Sequence, residues 1–279
     1  MHYELDYKNI VEMLIQSSIP PLNKDRGVED PIIVIGGPPV TANPEPLADI
    51  ADVIVIGEME RVLPLIIEAA FYGKKTCLEM ISHKRGIYCP SIDPNGYVSR
   101  FWLSQDDFSR GFHPVIQVQS DQEEYRPIYG RSLLVEVTRG CGYWCRFCLL
   151  GYNFLPPRHR DFEYLKSLID TGLKENDVNK VVLISSSLLS HPKAEELLKW
   201  LTQDIKTGFS APSIRLDTLD KENLQLLRKG GQKTLTIAPE AGTDNLRTIL
   251  GKNFENSLVV DVAKNASEAG FRNINKRYK

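Results

Sequence analysis

Short, uninterrupted apolar runs mark two strands in the first part of the chain. Residues 31–37 and 52–58 are each rich in isoleucine and valine, and each contains glycine at or near its end. Such runs are typical of parallel strands that are buried on both faces. Residues 6–17 carry apolar side chains at helical spacing, and Asn43 followed by proline predicts a helix start between the two strands. Residues 1–85 are therefore predicted to form a small, partial doubly wound α/β layer.

Residues 86–130 show a different pattern. Two strand-like segments, residues 86–90 and 97–102, flank an Asn-Gly turn at residues 95–96, and this arrangement predicts a β-hairpin. The polar, aperiodic stretch that follows predicts a linker that runs over the surface.

From residue 131 onward, strand and helix signals alternate. Apolar runs predict strands at residues 133–137, 180–184, 213–216 and 234–237. Five helices are predicted between and after these strands. The first has Phe162 near its start, and the second spans residues 195–205. Asp220 and Thr243 are predicted to cap the third and fourth, and the fifth spans residues 255–270. A fifth strand is predicted to begin at Phe271. Repeated strand-helix units curl into a barrel or part of one, so residues 131–279 are predicted to form an incomplete (β/α) barrel with its chemistry at the carboxyl ends of the strands.

Three cysteines follow the first of these strands in a C-x3-C-x2-C loop: Cys141, Cys145 and Cys148. Three thiolates on one loop can bind three irons of a [4Fe–4S] cube and leave the fourth iron without a protein ligand, which makes a reactive centre. Structural zinc is the alternative, but it requires a fourth ligand, and His159 or Cys89 would have to come from another segment. Cys77 and Cys89 are interpreted as a buried and a half-buried small residue, respectively.

The cysteine loop and the runs at residues 131–137, 213–219 and 236–242 resemble the radical S-adenosylmethionine (SAM) superfamily. The resemblance implies that the open iron binds the amino and carboxylate groups of SAM and that reductive cleavage of SAM starts radical chemistry on a substrate that the sequence does not identify. It also implies SAM contacts, which map onto Phe147 (adenine), Glu240 (ribose or amino group) and Arg247 (carboxylate), with Gly242 as a further cofactor-binding position.

The sequence departs from that family after the second strand of the barrel. A Gly-Gly-Glu type run there usually holds the SAM amino group, and in this chain it is replaced by Ser185, Ser186 and Ser187. Their hydroxyls and carbonyls are candidate substitutes, although they carry no charge.

The first 85 residues resemble the cobalamin-binding-like domain that precedes the barrel in one radical SAM subgroup. That domain ligates cobalt through a D-x-H-x-x-G run, which this sequence lacks, so cobalamin is not expected to bind. The chain also looks truncated at both ends. It is expected to need a partner, such as a second polypeptide that completes the barrel, and the resemblance implies an electron donor such as a ferredoxin or flavodoxin.

Composition narrows the class of protein further. The chain has 279 residues, a net charge of −2 and five cysteines, and it contains no long apolar run and no secretory signal. We therefore expect a cytoplasmic protein in a reducing compartment, without a membrane segment and without a nucleic-acid footprint. Two alternatives to a radical SAM enzyme stay open: a truncated, non-catalytic iron–sulfur fragment and a zinc-stabilised interaction module.

Overall fold

The computed structural model describes residues 1–278 and divides into two compact units. The N-terminal unit comprises Met1–Leu103, and the C-terminal unit begins at Ser104. The division falls inside the segment 86–130 that the sequence suggested as hairpin and linker. Within residues 1–278, no helix is both long enough and apolar enough to cross a membrane.

The N-terminal unit contains a three-stranded sheet in the order β1-β2-β3. Strands β1 (Val34–Gly36) and β2 (Val53–Val55) are parallel, which confirms the two predicted strands, and β3 (Ile87–Tyr88) is antiparallel to β2. Its helices are α1 (Asp6–Gln16), α2 (Pro38–Ala42), α3 (Val62–Ala70) and α4 (Lys74–Ile81).

Both faces of this sheet are buried, as the sequence predicts. Val53 and Val55 belong to one hydrophobic cluster with α3 and α4, whereas Ile54 and Ile56 belong to another with β1 and α2. The alternation follows from the strand geometry, in which successive side chains point to opposite faces.

Two predictions for this unit are wrong. The helix expected from Asn43 is only a 3-10 turn, Glu45–Leu47. The hairpin does not form a ladder, because β3 is buried against β2 and uses that strand as its partner. The segment 97–102 instead bonds to residues that flank β2 and β3: Gly86 N donates to Ser99 O at 3.0 Å, and Phe101 forms a bridge with Gly57.

The C-terminal unit contains two sets of parallel strands and one short antiparallel pair. The order β4-β7-β8 forms a parallel sheet, β9 and β10 form a parallel pair, and β5 pairs with β6. The strands are β4 (Leu133–Glu136), β5 (Thr138–Arg139), β6 (Arg158–His159), β7 (Lys180–Ile184), β8 (Gly208–Ser210), β9 (Thr234–Glu240) and β10 (Asn273–Tyr278).

The C-terminal unit contains seven α-helices among residues 104–278. They are α5 (Gln105–Ser109), α6 (Leu150–Asn153), α7 (Phe162–Glu175), α8 (Ala194–Lys199), α9 (Lys221–Lys229), α10 (Asp244–Ile249) and α11 (Asn256–Glu268). Of these, α7, α8, α9 and α11 contribute to the hydrophobic core of the unit. Buried side chains from β4, β7, β8 and β9 and from the long helices form a single cluster. This shared core fixes the strand ends that carry the candidate site.

Most element predictions for this unit are confirmed. Asp220 caps α9 through a bond from Asn223 N, 2.7 Å, and Thr243 caps α10 through a bond from Leu246 N, 3.3 Å. The predicted fifth strand is present as β10, which pairs with β9 along its length.

The third strand is the main correction. It lies at Gly208–Ser210, where Phe209 is buried and Val181 is its partner, and not at residues 213–216. Residues 213–216 lead instead into a 3-10 turn, Leu216–Thr218. The helix predicted over residues 195–205 is regular only in α8 and continues as one π-helical turn, Trp200–Asp204.

The predicted linker also has a structural role that the sequence analysis missed. Gln117 forms two bonds with the backbone of Leu134, accepting from its nitrogen at 2.9 Å and donating to its oxygen at 2.7 Å. Gln119 does the same with Ser132, and His113 Nε2 accepts from Glu136 N at 2.9 Å. These alternating side chains act as an extra strand along β4, so they satisfy backbone groups that an edge strand would leave unpaired.

Candidate functional site

The candidate site lies at the carboxyl ends of the parallel strands in the C-terminal unit. The cysteine loop follows β5, which continues the chain just after β4, and three serines follow β7. Arg215 follows β8, and Glu240 is the last residue of β9. In open α/β sheets and barrels, ligands bind at this edge, because the loops there converge.

The cysteine loop is held by contacts with two distant segments. Cys145 is buried, and its sulfur accepts a hydrogen bond from Arg215 Nη1 at 3.2 Å. Arg146 N donates to Leu250 O at 3.0 Å, and Cys148 N donates to Cys145 O at 3.0 Å. Cys141 and Cys148 are partly exposed, and all three thiols are free. The loop therefore has a fixed path while two of its sulfurs remain accessible.

Arg215 is fixed on two further sides. Its Nε and Nη2 atoms donate to the two carboxylate oxygens of Asp217, at 2.9 and 2.6 Å, and its guanidinium carbon lies 3.8 Å from the centre of the Tyr143 ring. A bidentate carboxylate and an aromatic face orient a guanidinium strongly. The result is a positive charge held beside the Cys145 sulfur, which the sequence analysis did not identify.

The electrostatic environment shows that the three thiols interact. Burial raises the pKa of the Cys141 thiol, and a backbone hydrogen bond at Tyr143 and the charge of Arg215 oppose that rise. Cys145 and Cys148 add to it, since a neighbouring thiolate disfavours a second negative charge. Burial likewise raises the pKa of Tyr143.

These residues fit a [4Fe–4S] cluster by the chemistry of their donors. Three soft sulfur atoms on one loop match the ligands that iron–sulfur clusters use, and Arg215 supplies a hydrogen bond to one of them. Within residues 1–278, no three His, Cys, Asp or Glu side chains are arranged to hold a single metal ion. A cluster differs in this respect, because each cysteine binds a separate iron.

The other cysteines and the candidate zinc ligands lie elsewhere. Cys77 and Cys89 are buried in the N-terminal unit, and burial raises the pKa of Cys89 to about 12. His159 lies on β6 and meets the His191 ring edge-on at 5.5 Å. The predicted burial of Cys77 is confirmed, whereas Cys89 is fully buried and not half-buried, because β3 is covered by the hydrophobic cluster of the N-terminal unit.

The serine run after β7 is only partly available to a ligand. The Ser185 hydroxyl bonds to the Thr138 hydroxyl and accepts from Ser187 N at 3.0 Å, so it supports the local fold. Ser186 is partly buried. The Ser187 hydroxyl, the third of the run, is buried.

Glu240 is part of a buried ion pair that the sequence did not reveal. Lys252 Nζ lies 3.1 Å from Glu240 Oε1 and donates to Ala238 O at 2.7 Å. The same ammonium lies 5.9 Å from the centre of the Phe147 ring. Lys252 thus brings two predicted site residues together, Phe147 from the cysteine loop and Glu240 from the end of β9.

Arg247 and Gly242 are placed differently. Arg247 is fully buried and donates to Phe254 O at 2.9 Å, Ala241 O at 2.7 Å and Asn256 Oδ1 at 2.7 Å, and it also bonds to Asp244. Each of its three nitrogens is therefore engaged with the protein, and binding a carboxylate would require some of these bonds to open. Gly242 is exposed, and a side chain there would meet no atom within 4 Å.

Comparison with known families identifies the class of protein. Residues 1–90 match the family described as "Radical SAM proteins, N-terminal", and residues 135–277 match the "Radical SAM superfamily". The chain belongs to the radical SAM superfamily.

One curated protein is similar to this chain over most of its length. The chain is 33% identical over 275 residues to the uncharacterized protein MJ0966 of Methanocaldococcus jannaschii, an alignment that covers 95% of this chain and 54% of that protein. This chain thus spans about half the length of its curated relative.

Solved structures show the same mixed α/β fold. The cobalamin-dependent SAM radical enzyme OxsB with aqua-cobalamin and SAM bound has a TM-score of 0.63 at 16% identity, over 98% of this chain and 38% of that one. The radical SAM methyltransferase TsrM from Kitasatospora setae, with tryptophan and a SAM analogue, has a TM-score of 0.58 at 14% identity, over 86% of this chain and 48% of that one.

The relation to cobalamin remains a prediction. OxsB and TsrM have both been solved with cobalamin bound, and the expectation that this chain does not bind it is not confirmed. In this chain, backbone of other segments closely approaches two glycines near the ends of β1 and β2. Met1 N donates to Gly36 O at 3.1 Å, and a side chain at Gly37 or Gly57, both at positive φ, would clash with Met1 or Phe101 backbone.

Proposed function

We propose that this chain forms the cluster- and SAM-binding core of a radical SAM enzyme. The observation that carries the proposal is the set of three free thiols on one loop at the carboxyl end of β4, with Arg215 donating to Cys145 Sγ. Cys141, Cys145 and Cys148 would hold a [4Fe–4S] cluster. When bound, such a cluster supplies the electron that cleaves a carbon–sulfur bond of SAM and starts radical chemistry on a substrate.

Arg215 adjusts the electronic properties of this site. Its guanidinium donates to a ligating sulfur and places a positive charge next to it. Hydrogen bonds and charge near the sulfurs help to set the reduction potential of an iron–sulfur site. Because a positive charge stabilises the more negative, reduced form, Arg215 should raise that potential.

The residues proposed to face SAM lie at the same edge of the C-terminal unit, where the parallel strands end. Phe147 would flank the adenine, and Glu240 would meet the ribose or amino group, with Gly242 in the turn that follows it. Ser185 and Ser186 would contribute backbone carbonyls, since the Ser185 hydroxyl is already bonded. The proximity of Phe147 to the Lys252–Glu240 pair supports placing SAM here.

The site would work with outside partners. An electron donor such as a ferredoxin or flavodoxin would reduce the cluster, and a second polypeptide or a longer form of the chain would supply the rest of the barrel. Free cysteines at all five positions favour a reducing compartment, and we propose the cytoplasm.

Anaerobic reconstitution with iron and sulfide tests the proposal. We expect about four irons per chain with matching sulfide. Cys141→Ala, Cys145→Ala and Cys148→Ala should each lose the iron, whereas Cys77→Ala, which removes a thiol from the N-terminal unit, should retain it. The same samples, reduced with dithionite and given SAM, are assayed for methionine and 5′-deoxyadenosine.

The outcomes separate three functions. Iron with SAM cleavage supports the enzyme. Iron without cleavage, in this chain and in a longer form of it, supports a non-catalytic iron–sulfur protein. Stoichiometric zinc with no charge-transfer absorbance supports a zinc-stabilised module and contradicts the proposal.

A further inference from the structure

The N-terminal unit contains a cavity that has no role in the function proposed above. It lies beside the edge strand β3, between residues 82–89 and residues 93–102, and its volume is about 670 Å³. We call it the β3 pocket. Its volume is in the range of small-molecule sites, which is roughly 300–1,000 Å³.

The β3 pocket is positively charged. Lys84, Arg85 and Arg100 line it, and Asp93 is the carboxylate among its lining residues. Within residues 1–278, the Lys84 ammonium has no ion-pair or hydrogen-bond partner, and Lys84 is exposed. A concave surface with excess positive charge attracts anions and raises their local concentration.

The Arg85 guanidinium is preorganised to bind an anion. Its Nε atom donates to Arg100 O at 3.1 Å, and its guanidinium carbon lies 4.0 Å from the centre of the Trp102 ring. The Arg100 guanidinium lies 5.1 Å from the same ring. The two terminal nitrogens of Arg85 have no hydrogen-bond partner among the described residues. A guanidinium held by its Nε and by an aromatic face presents those nitrogens as a fork for a phosphate or carboxylate.

The rim of the pocket offers an aromatic surface as well. Tyr97 lines the cavity and is 95% exposed, and Val98 lies beside it. An exposed aromatic side chain beside a cationic pocket suits a ligand in which a planar ring accompanies the charge.

We propose that the β3 pocket binds a small phosphate ester that carries a planar ring, such as a nucleotide. Arg85 and Lys84 contact the phosphate groups, Arg100 adds positive charge, and Tyr97 packs against the ring. The assignment is independent of the cysteine loop, because all of these residues belong to the N-terminal unit.

Calorimetric titration of the full chain tests the proposal with two probes, pyrophosphate and ADP. Both should bind, ADP more tightly, and both more weakly at about 200 mM than at about 50 mM salt, because salt screens exposed charges. Lys84→Gln and Arg85→Gln should each weaken both probes about tenfold, the loss expected for a charge-assisted bond. Tyr97→Ala should weaken ADP and leave pyrophosphate unchanged.

Three controls locate the binding. Lys75→Gln removes an exposed lysine of α4 outside the pocket and should change neither affinity. Melting temperatures check folding, and Lys84→Gln keeps the test decisive if Arg85→Gln folds poorly, since the Lys84 ammonium has no ion-pair or hydrogen-bond partner among the described residues. Phe147→Ala should leave ADP binding intact.

Absence of pyrophosphate binding at millimolar concentration would overturn the proposal. Equal losses of affinity in Lys84→Gln and Lys75→Gln would also overturn it. ADP binding that survives both pocket variants but disappears in Phe147→Ala would assign the nucleotide to the cysteine-loop site instead. Equal affinity for pyrophosphate and ADP would contradict the proposed contact between Tyr97 and a planar ring of the ligand.

Discussion

The segment after β8 and the helix after β9 each place a buried or half-buried arginine near the candidate site, but the two arginines have different partners. Arg215 donates to a cysteine sulfur, and the rest of its guanidinium is held by Asp217 and Tyr143. Arg247 donates only to oxygen atoms of α10, α11 and the adjoining turns. Arg215 therefore contacts a reactive thiol, whereas Arg247 links α10, α11 and the turns beside them.

This difference shows which residue roles can be transferred by resemblance alone. A spacing of cysteines is local, so its chemistry carries over with the motif. The role of an arginine depends on what surrounds it, and at Arg247 four oxygen partners already surround the guanidinium. The structure therefore favours a stabilising role for Arg247, and its predicted contact with the SAM carboxylate stays a prediction.

The largest expected effect on stability is at Arg247. Arg247→Met removes the four hydrogen bonds of a fully buried guanidinium, including the bond to the buried Ala241 carbonyl, and we expect a loss of about 3–5 kcal/mol in the free energy of unfolding. Urea denaturation measures it. Arg215→Met is the matched variant, and it should cost about 1 kcal/mol, because its Asp217 partner can still meet solvent. Equal losses in the free energy of unfolding for the two variants would contradict the different roles assigned to the two arginines.

Arg215→Met should instead change the reconstituted cluster. Removing the hydrogen bond and the charge should lower the reduction potential by on the order of 60 mV, the one-electron equivalent of about 1.4 kcal/mol. A redox titration followed by electron paramagnetic resonance measures the shift. An unchanged potential, with cluster content equal to wild type, would show that the contact with Cys145 has no electronic role.

The Lys252–Glu240 pair should show the cost of an unpaired buried charge. Lys252→Met leaves the Glu240 carboxylate buried without its partner, so we expect a loss of about 3 kcal/mol. The double variant Lys252→Met, Glu240→Gln should recover most of this loss. If the double variant is as unstable as the single one, the pair is not coupled as the 3.1 Å separation suggests.

A smaller effect is expected where the predicted linker meets β4. Gln117→Ala removes the two side-chain bonds to Leu134 and should destabilise the chain by about 1–2 kcal/mol. Gln122→Ala, at an exposed glutamine of the same segment, is the control and should be nearly neutral. Equal melting temperatures for the two variants would argue against the side-chain ladder.

The smallest expected effect is a pH dependence of stability that arises from His113, which also bonds to the edge of β4. Burial, aided by the charge of Arg160, lowers the pKa of His113 below its usual 6.5, while Glu136 opposes the shift. The unfolded chain therefore binds more protons below about pH 6.5, and stability should fall as the pH drops below that value. His113→Ala should show a shallower fall between pH 6.5 and 5, measured by urea denaturation. His159 and His191 shift in the same direction, so some dependence should remain.

Sequence alone predicts the parts of this protein whose signal is local. β4 and β7 are uninterrupted apolar runs, and the cysteine loop is defined by its own spacing. β8 was missed because Gly208 and Ser210 flank a single buried phenylalanine, so the apolar signal is weak. The contacts of Arg215 with Cys145 and of Lys252 with Glu240 join residues 70 and 12 positions apart, and no local pattern specifies them.

The most direct test of the central claim is the electron paramagnetic resonance spectrum of the reconstituted, dithionite-reduced chain with and without SAM. Three cysteine ligands leave one iron of the cluster open, so the account predicts a [4Fe–4S]⁺ signal that changes shape when SAM is added. Cys141→Ala should show no such signal. A signal that is identical with and without saturating SAM would contradict the claim that this loop builds an open cluster site for SAM.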